Sequence, residues 1–212
     1  MKVGILGSGI VGEKLSEGFL KFGYDVMRGS RDPEKLEDWQ KKIGSKAKIG
    51  DFKETTKFGQ LIVLAVKGEG ALNALRECAD NIKGKTIIDT TNPIASAPPV
   101  NGVLQYFTEI NESLMERLQN TYPSAHFVKA FNSVGNAFMV KPQFALIPTM
   151  FICGNHQESK TKVAEILNQF GWESQDMGTV EAARAIEPLC MLWCIPGFRN
   201  NEWNHAFKLM RN

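Results

Sequence analysis

The stretch KVGILGSGIVGEKL, residues 2–15, decides the fold. Its glycines are spaced as G-x-G-x-x-G between an apolar run typical of a buried strand and the apolar spacing of an amphipathic helix. In such a unit the first glycine allows a tight turn, the second lets the backbone approach a pyrophosphate, and the third lets the helix pack closely on the strand. A glycine turn without a ligand is the alternative, but the strand and helix around it favour a dinucleotide site. The expected contacts are the loop residues Gly7, Ser8, Gly9, Ile10, Val11 and Gly12.

The end of the second predicted strand indicates which dinucleotide fits. This strand, YDVMR at 24–28, continues into GSR at 29–31, where an NAD site places Asp or Glu against the ribose 2'-hydroxyl. No carboxylate ends this strand. A hydroxyl, a guanidinium and a further cation suit a 2'-phosphate, so Ser30, Arg31 and Lys35 are candidate ligands and NADP is the expected cofactor. The same residues also suit a plain helix start before the proline of SRDP, with solvated charges, and both interpretations can hold.

Strands and helices alternate along the chain and predict an α/β fold. Apolar runs at 60–66 and 86–89 are typical of strands covered on both faces, and further strands are predicted at 126–131, 149–153 and 172–176. Helices are predicted at 34–43, 71–78, 113–119, 157–170 and from about 180 past 193. We therefore expect one Rossmann-type domain over residues 1–212, with a doubly wound, mostly parallel sheet and a small C-terminal α/β elaboration from about 145 to 212. The loop at 94–102, rich in Ala, Ser and Pro, is either a lid over the strand ends or an inert excursion.

Composition excludes several classes of partner. The chain has 25 Lys and Arg against 23 Asp and Glu, a formal net charge of +2, which argues against nucleic acid and against an anionic membrane. No apolar run reaches the roughly 18 residues of a membrane span and the chain opens on a strand rather than a leader, so a cytoplasmic location is expected. The scattered cysteines and histidines predict neither a disulfide framework nor a metal site. Cys190 and Cys194 share a helical face, where core packing is favoured over a redox or metal role.

The last predicted helix carries a charged pair and an apolar run. Arg184 and Glu187 stand at i and i+3 and are expected to pair on the helix surface. Residues 188–195 are apolar all round and predict burial against the domain or a second copy. A homodimer is therefore expected.

Several segments carry a family resemblance: GSGIVG at 7–12, GSRDPEK at 29–35, IVLAV at 62–66, DTTNP at 89–93, FVKAFNS at 127–133 and ARAIEPL at 183–189. With them the chain resembles, nearly end to end, the NADP oxidoreductases of the coenzyme F420-dependent type and the related cytosolic domain of the six-transmembrane (STEAP) metalloreductases. In that family the Ser-Arg pair after the second strand and a following Lys hold the 2'-phosphate, which implies this role for Ser30, Arg31 and Lys35. The resemblance also implies that Ala65, Val66 and Lys67 border the nicotinamide, and that Asn92, Pro93, Ala130 and Asn132 close the nicotinamide and ribose pocket.

The resemblance implies an NADPH-dependent oxidoreductase that transfers a hydride between NADP(H) and a flavin, a deazaflavin resembling F420, or another diffusible small-molecule acceptor. The catalytic residues are left unassigned, and a dedicated catalytic triad need not exist, because in such reactions the cofactors carry the reactivity. The chain has Val66-Lys67-Gly68 where the archaeal F420 reductases have Ile-Pro-Trp, so the acceptor stays open. One alternative is a small carbonyl or imine reductase of the β-hydroxyacid dehydrogenase type, which normally needs a long helical C-terminal domain. The other is an NADP-binding sensor without turnover.

Overall fold

The computed structural model describes all residues, 1–212, around a six-stranded parallel sheet. The strands are β1 (Lys2–Leu6), β2 (Asp25–Gly29), β3 (Ala47–Gly50), β4 (Leu61–Leu64), β5 (Thr86–Asp89) and β6 (His126–Lys129). They lie in the order β3-β2-β1-β4-β5-β6, so the direction in which strands are added reverses between β1 and β4. The helices that follow are α1 (Ile10–Lys21), α2 (Glu37–Ile43), α3 (Phe52–Phe58), α4 (Ala71–Arg76) and α5 (Leu114–Thr121). This is the doubly wound α/β fold that the sequence predicts.

The register of the sheet brings the carboxyl ends of the strands level with one another. Leu6 pairs with Gly29 on one side and with Leu64 on the other. Leu64 pairs with Asp89, which in turn pairs with Lys129. The segments that follow these residues therefore emerge side by side along one edge.

Both faces of the sheet are covered, and side chains of the strands alternate between two cores. Ile5 and Val63 point into one core, which is completed by Leu15 and Phe19 of α1. Neighbouring strand residues such as Leu64 point into the other core, which α4 and α5 complete. The continuous apolar runs of the sequence follow from this double covering.

The C-terminal part forms a second layer around a small parallel sheet. Strands β7 (Thr149–Ile152) and β8 (Glu173–Asp176) pair with each other, and α6 (Gln157–Gln169) connects them. Two helices follow, α7 (Ala183–Ile186) and α8 (Pro188–Asn200). The last residues return to β7, where Phe207 accepts the backbone N–H of Thr149 at 2.9 Å. No helix in the structure combines the length and the apolarity that crossing a bilayer requires.

Two elements of the sheet region have no counterpart in the sequence prediction. Strand β3 has the sequence AKIG, in which only Ala47 and Ile49 carry apolar side chains. Helix α3 has the sequence FKETTKF, which shows little apolar periodicity. Helix α3 is set instead by a capping box: Asp51 accepts the backbone N–H of Glu54, whose side chain accepts the backbone N–H of Asp51. Its Thr55 packs against two glycines, Gly4 of β1 and Gly29 of β2.

Candidate functional site

A cleft of about 700 Å³ opens at the carboxyl edge of the sheet, where the order of strands reverses. The segments after β1, β2, β4 and β5 line it, so it lies where open α/β sheets bind their ligands. Its volume is in the range typical of small-molecule and cofactor sites, about 300–1,000 Å³. These four segments meet because the register of the sheet places the ends of their strands side by side.

The glycine loop forms one wall of the cleft and needs glycine for different reasons at each position. Gly7 has φ of +148°, and a Cβ there would lie 2.2 Å from the carbonyl oxygen of Ala65. A Cβ on Gly12 would lie 2.6 Å from the carbonyl oxygen of Gly7, so this glycine allows α1 to pack on the loop. Gly9 faces open space, with nothing within 4 Å of a Cβ. No side chain caps the first turn of α1, whose N–H groups stay available to a ligand.

The segment after β2 brings Ser30, Arg31 and Lys35 to the same cleft. Ser30 is buried, and its hydroxyl accepts the backbone N–H of Asp32 at 3.2 Å. Lys35 Nζ lies 3.3 Å from a carboxylate oxygen of Asp32, whereas Arg31 has no ion-pair partner. A short helical turn also begins at Pro33, as the alternative interpretation of this segment expects. The geometry therefore leaves one exposed guanidinium uncommitted at the mouth of the cleft.

The opposite half of the cleft is lined by Ala65, Val66, Lys67 and Asn92. Four predicted site residues do not line it: Gly12, Pro93, Ala130 and Asn132. Ala130 is fully buried in the core beside the cleft.

Asn132 lies behind Asn92 and fixes the orientation of its amide. Asn92 Nδ2 donates to the carbonyl oxygen of Asn132 at 2.8 Å, and Asn132 Nδ2 donates to Asn92 Oδ1 at 3.1 Å. Asn132 Nδ2 also donates to the carbonyl oxygen of Ile186 at 2.9 Å. The Asn92 side chain is therefore held in one orientation at the cleft wall.

The loop at 94–102 contributes to the cleft through its first residues. The backbone N–H and the hydroxyl of Ser96 both donate to the carboxylate of Glu69, at 2.8–3.1 Å. Since both residues line the cleft, this contact ties the loop to the segment after β4. Glu69 was not predicted as a site residue; its position just after a buried strand is the signal that could have indicated it.

A buried charged cluster underlies the cleft floor, and it corrects one expectation. Glu187 does not pair with Arg184 on a helix surface: its carboxylate lies 2.8 Å from Lys129 Nζ, while Arg184 pairs with Glu116. Glu187, at the junction of α7 and α8, is buried, whereas Arg184 is exposed, so the two residues do not share one exposed helical face. Lys129 Nζ also lies 2.7 Å from Asp89 Oδ2 and donates to the carbonyl oxygen of Thr91 at 2.8 Å.

Glu187 and Lys129 each have hydrogen-bond or ion-pair partners on several different segments of the chain. The carboxylate of Glu187 accepts the backbone N–H groups of Leu114 and Met115, at 2.9 and 3.0 Å, and so caps α5. Burial lowers the pKa of Lys129, but the adjacent carboxylates of Asp89 and Glu187 outweigh burial and raise this pKa above its ordinary value. Lys129 is therefore a charged structural group, and it has no surface exposed to the cleft.

Comparisons with known proteins show which proteins the chain is similar to. Residues 2–93 match the family described as NADP oxidoreductase coenzyme F420-dependent. The chain is 29% identical over 203 residues to the F420-dependent NADP reductase of Methanocaldococcus jannaschii, covering 91% of this chain and 90% of that protein. It is 31% identical over 200 residues to the metalloreductase STEAP3 of Rattus norvegicus, covering 92% of this chain. The chain spans only 38% of the length of that metalloreductase.

Solved structures show the same relationship. A candidate F420-dependent NADP-reductase from Arthrobacter sp. FB24 superposes with a TM-score of 0.93 over 100% of both chains at 27% identity. An imine reductase from Myxococcus stipitatus, solved in complex with NADP+, has a TM-score of 0.66 at 17% identity, with 60% of its chain covered, which shows a shared fold alone. Residues 2–93 thus match the NADP oxidoreductases of the coenzyme F420-dependent type, and the chain is similar over about nine tenths of its length to an NADP reductase of that type.

Proposed function

We propose that this chain binds NADP(H) along the cleft and transfers a hydride between its nicotinamide and a flavin, a deazaflavin or another small diffusible acceptor. The observation that carries the proposal is the segment after β2. There Ser30, the uncommitted guanidinium of Arg31 and Lys35 meet at one end of the cleft, and no carboxylate ends the strand. Such a cluster favours a 2'-phosphate, because a planar guanidinium and a hydroxyl can donate to its oxygens together.

The rest of the cleft supports a binding mode in which the dinucleotide runs along the strand ends. The glycine loop would take the pyrophosphate, because Gly9 faces open space and the first turn of α1 is uncapped. The nicotinamide would then lie toward Ala65, Val66, Lys67 and Asn92, with Pro93, Ala130 and Asn132 supporting that wall from behind. Lys67 is exposed at the cleft edge, where it would attract an anionic acceptor.

The reaction needs alignment of two rings rather than acid-base chemistry. Hydride transfer is a property of the nicotinamide and its acceptor, so this chain's residues bind, orient and shield. Asn92, whose amide is fixed by Asn132, is suited to hold one face of the nicotinamide region in place. Ser96 and Glu69 would close the wall beside it.

An oxidation assay distinguishes this proposal from a sensor and from a carbonyl or imine reductase. The purified chain is mixed with NADPH and, in separate reactions, with FMN, FAD, a deazaflavin or a small carbonyl compound, and the NADPH absorbance is followed. We expect NADPH to be consumed with a flavin or a deazaflavin. Binding without consumption would indicate a sensor, and consumption with the carbonyl compound alone would indicate the other enzyme class.

The Arg31→Ala substitution tests the NADP assignment. Loss of a charge-assisted contact to phosphate is expected to weaken NADPH binding by roughly tenfold or more, with little effect on NADH. Calorimetric titration of both nucleotides measures this ratio. Arg211→Ala, the same change at the exposed C-terminus, is the control. Equal losses for the two nucleotides would contradict the assignment.

We further propose a homodimer in the cytoplasm. Helix α8 buries Cys190, Trp193 and Cys194 within the chain, but Leu192 and Phe198 are about half exposed on it, at 55% and 46%. These side chains would be covered by a second copy. The buried thiols are unpaired, as expected in a reducing compartment. Light scattering of the wild type and of Leu192→Glu tests the dimer, which the added charge should dissociate.

A further inference from the structure

Arg28, on β2, is a buried cation that the proposed binding mode leaves without a role. Its side chain is 1% exposed and is among the largest fully buried side chains of the protein. Nη2 donates to the carbonyl oxygen of Gly9 at 3.0 Å, and the guanidinium lies 4.9 Å from the ring centroid of Trp39. Nε has no hydrogen-bond partner. Arg28 thus contacts the glycine loop but does not line the cleft.

The charge of Arg28 is only partly neutralised. The nearest carboxylate oxygen, on Glu13, lies 3.8 Å from Nη1, which is beyond good hydrogen-bond distance. Glu13 is itself partly exposed, and it lies equally far, at 3.8 Å, from Lys42. A buried cation with loose pairing lowers the stability of a fold, and an apolar side chain of similar volume would pack there at lower cost. A bound anion would offset this cost.

The position of Arg28 is suited to an anion at the glycine loop. Gly9 is the residue before α1, and its carbonyl oxygen accepts both Arg28 Nη2 and the backbone N–H of Glu13, so Arg28 helps to fix the first turn, whose uncapped N–H groups stay available to an anion. The guanidinium also places positive charge behind the loop in a wall of low dielectric, where it is screened less than a surface cation. Arg31, by contrast, is exposed at the 2'-phosphate end of the cleft.

We propose that Arg28 is a positioning residue for the pyrophosphate, and that it strengthens the binding of phosphorylated and unphosphorylated nicotinamide dinucleotides equally. The proposal rests on the dinucleotide site of the proposed function. It assigns different roles to two arginines three residues apart: Arg28 sets affinity for the part that NADPH and NADH share, and Arg31 sets the preference between them.

The test is calorimetric titration of wild type, Arg28→Met and Arg28→Lys with NADPH and with NADH. Arg28→Met keeps most of the side-chain volume and removes the charge and the donor, so we expect both nucleotides to bind about tenfold more weakly, with their ratio unchanged. Arg28→Lys keeps the charge and is expected to recover part of that loss for both. Arg31→Ala, in the same titrations, should change the ratio.

These outcomes separate the two proposals. If the wild type binds both nucleotides and Arg28→Met binds them equally well, or loses NADPH alone, the assignment of Arg28 is wrong and the NADP site stands. If Met and Lys at this position give equal losses, the role is one of packing, and the assignment is again overturned. If the wild type binds neither nucleotide, the proposed function itself fails.

A second variant keeps the proposal testable if Arg28→Met does not fold. Glu13→Gln leaves Arg28 in place and removes its counter-charge at a partly exposed position. We expect both nucleotides to bind about threefold more tightly, with an unchanged ratio. Glu165→Gln, the same change at an exposed position of α6, is the matched control and should leave both affinities at the wild-type value. Unchanged or weaker binding by Glu13→Gln would count against the proposal.

Discussion

Substitution of Lys129 by Met probes the cluster beneath the cleft floor. The ammonium of Lys129 lies 2.7 Å from Asp89 Oδ2 and 2.8 Å from Glu187 Oε1, and all three side chains are at most 2% exposed. Met has a similar length and fits the same space, but it leaves two carboxylates buried without a cation. It also removes the donor to the carbonyl oxygen of Thr91.

The expected loss of stability is large. Removing one partner from a buried ion pair costs about 3–5 kcal/mol, because the remaining charge keeps its desolvation penalty and loses its attraction. Domains of ordinary stability unfold with about 5–15 kcal/mol, so this one side chain would account for a substantial share. Neutralising the cluster together, with Asp89→Asn and Glu187→Gln added to Lys129→Met, should restore part of the loss.

Urea unfolding followed by circular dichroism measures the free energy of unfolding. Lys83→Met is the matched control, because Lys83 pairs with Asp80 in full contact with solvent, and we expect no measurable change there. A loss for Lys129→Met that equals that of Lys83→Met would refute the claim that the buried cluster stabilises the fold.

The pH dependence of the free energy of unfolding tests the contribution of Lys129 separately. The pKa of Lys129 is raised in the folded state, so its contribution is complete below the unfolded lysine pKa of about 10.5 and is lost only as the pH rises through the higher folded pKa. Wild-type stability should therefore not change through this group near neutral pH. A loss of wild-type stability near neutral pH that Lys129→Met does not show would contradict this account.

Three further substitutions test the cleft. Gly7→Ala should destabilise the chain by about 2 kcal/mol or more, measured by urea unfolding, because φ is +148° and the new Cβ would meet the carbonyl oxygen of Ala65. Gly9→Ala should leave stability unchanged and weaken NADPH binding in titration, since its Cβ would enter open space at the cleft; wild-type affinity would refute the pyrophosphate position. Ser96→Ala removes a donor to Glu69 and should raise the Michaelis constant for the acceptor more than it weakens NADPH binding; an unchanged constant would show that the loop is inert.

The sequence predicts the fold wherever one chemical requirement dominates a segment. The glycine loop and the apolar runs of β4 and β5 each admit few conformations, and the structure places them as expected. Strand β3 and helix α3 were missed because their apolar content is low. What holds them is the Asp51 capping box and the contact of Thr55 with β1 and β2, and that contact joins residues far apart along the chain.

In the candidate site, too, features set by local sequence were predicted and features set by contacts between distant residues were not. The glycines and the segment after β2 are local in sequence, and their pattern alone suggests a ligand. The role of Glu187 could not be read in this way, because its partner Lys129 lies far away along the chain, and spacing within a helix does not show which carboxylate is buried. The role of Arg28 is not predictable from the sequence either, because the pattern of a strand does not show whether an arginine in it is exposed or buried.

The C-terminal part is joined to the cleft by contacts that make it more than an appendage. Glu187 supplies a counter-charge to Lys129, and the carbonyl oxygen of Ile186 accepts from Asn132, which in turn orients Asn92 at the cleft wall. Two distant segments of sequence therefore meet through one buried ion pair and one buried amide. Without Glu187, the first six strands would keep Lys129 paired with Asp89 alone, and the first N–H groups of α5 would lose the carboxylate that accepts them. We therefore expect residues 1–145 by themselves to unfold at lower urea concentration than the whole chain, and to lose the fixed orientation of Asn92 along with it.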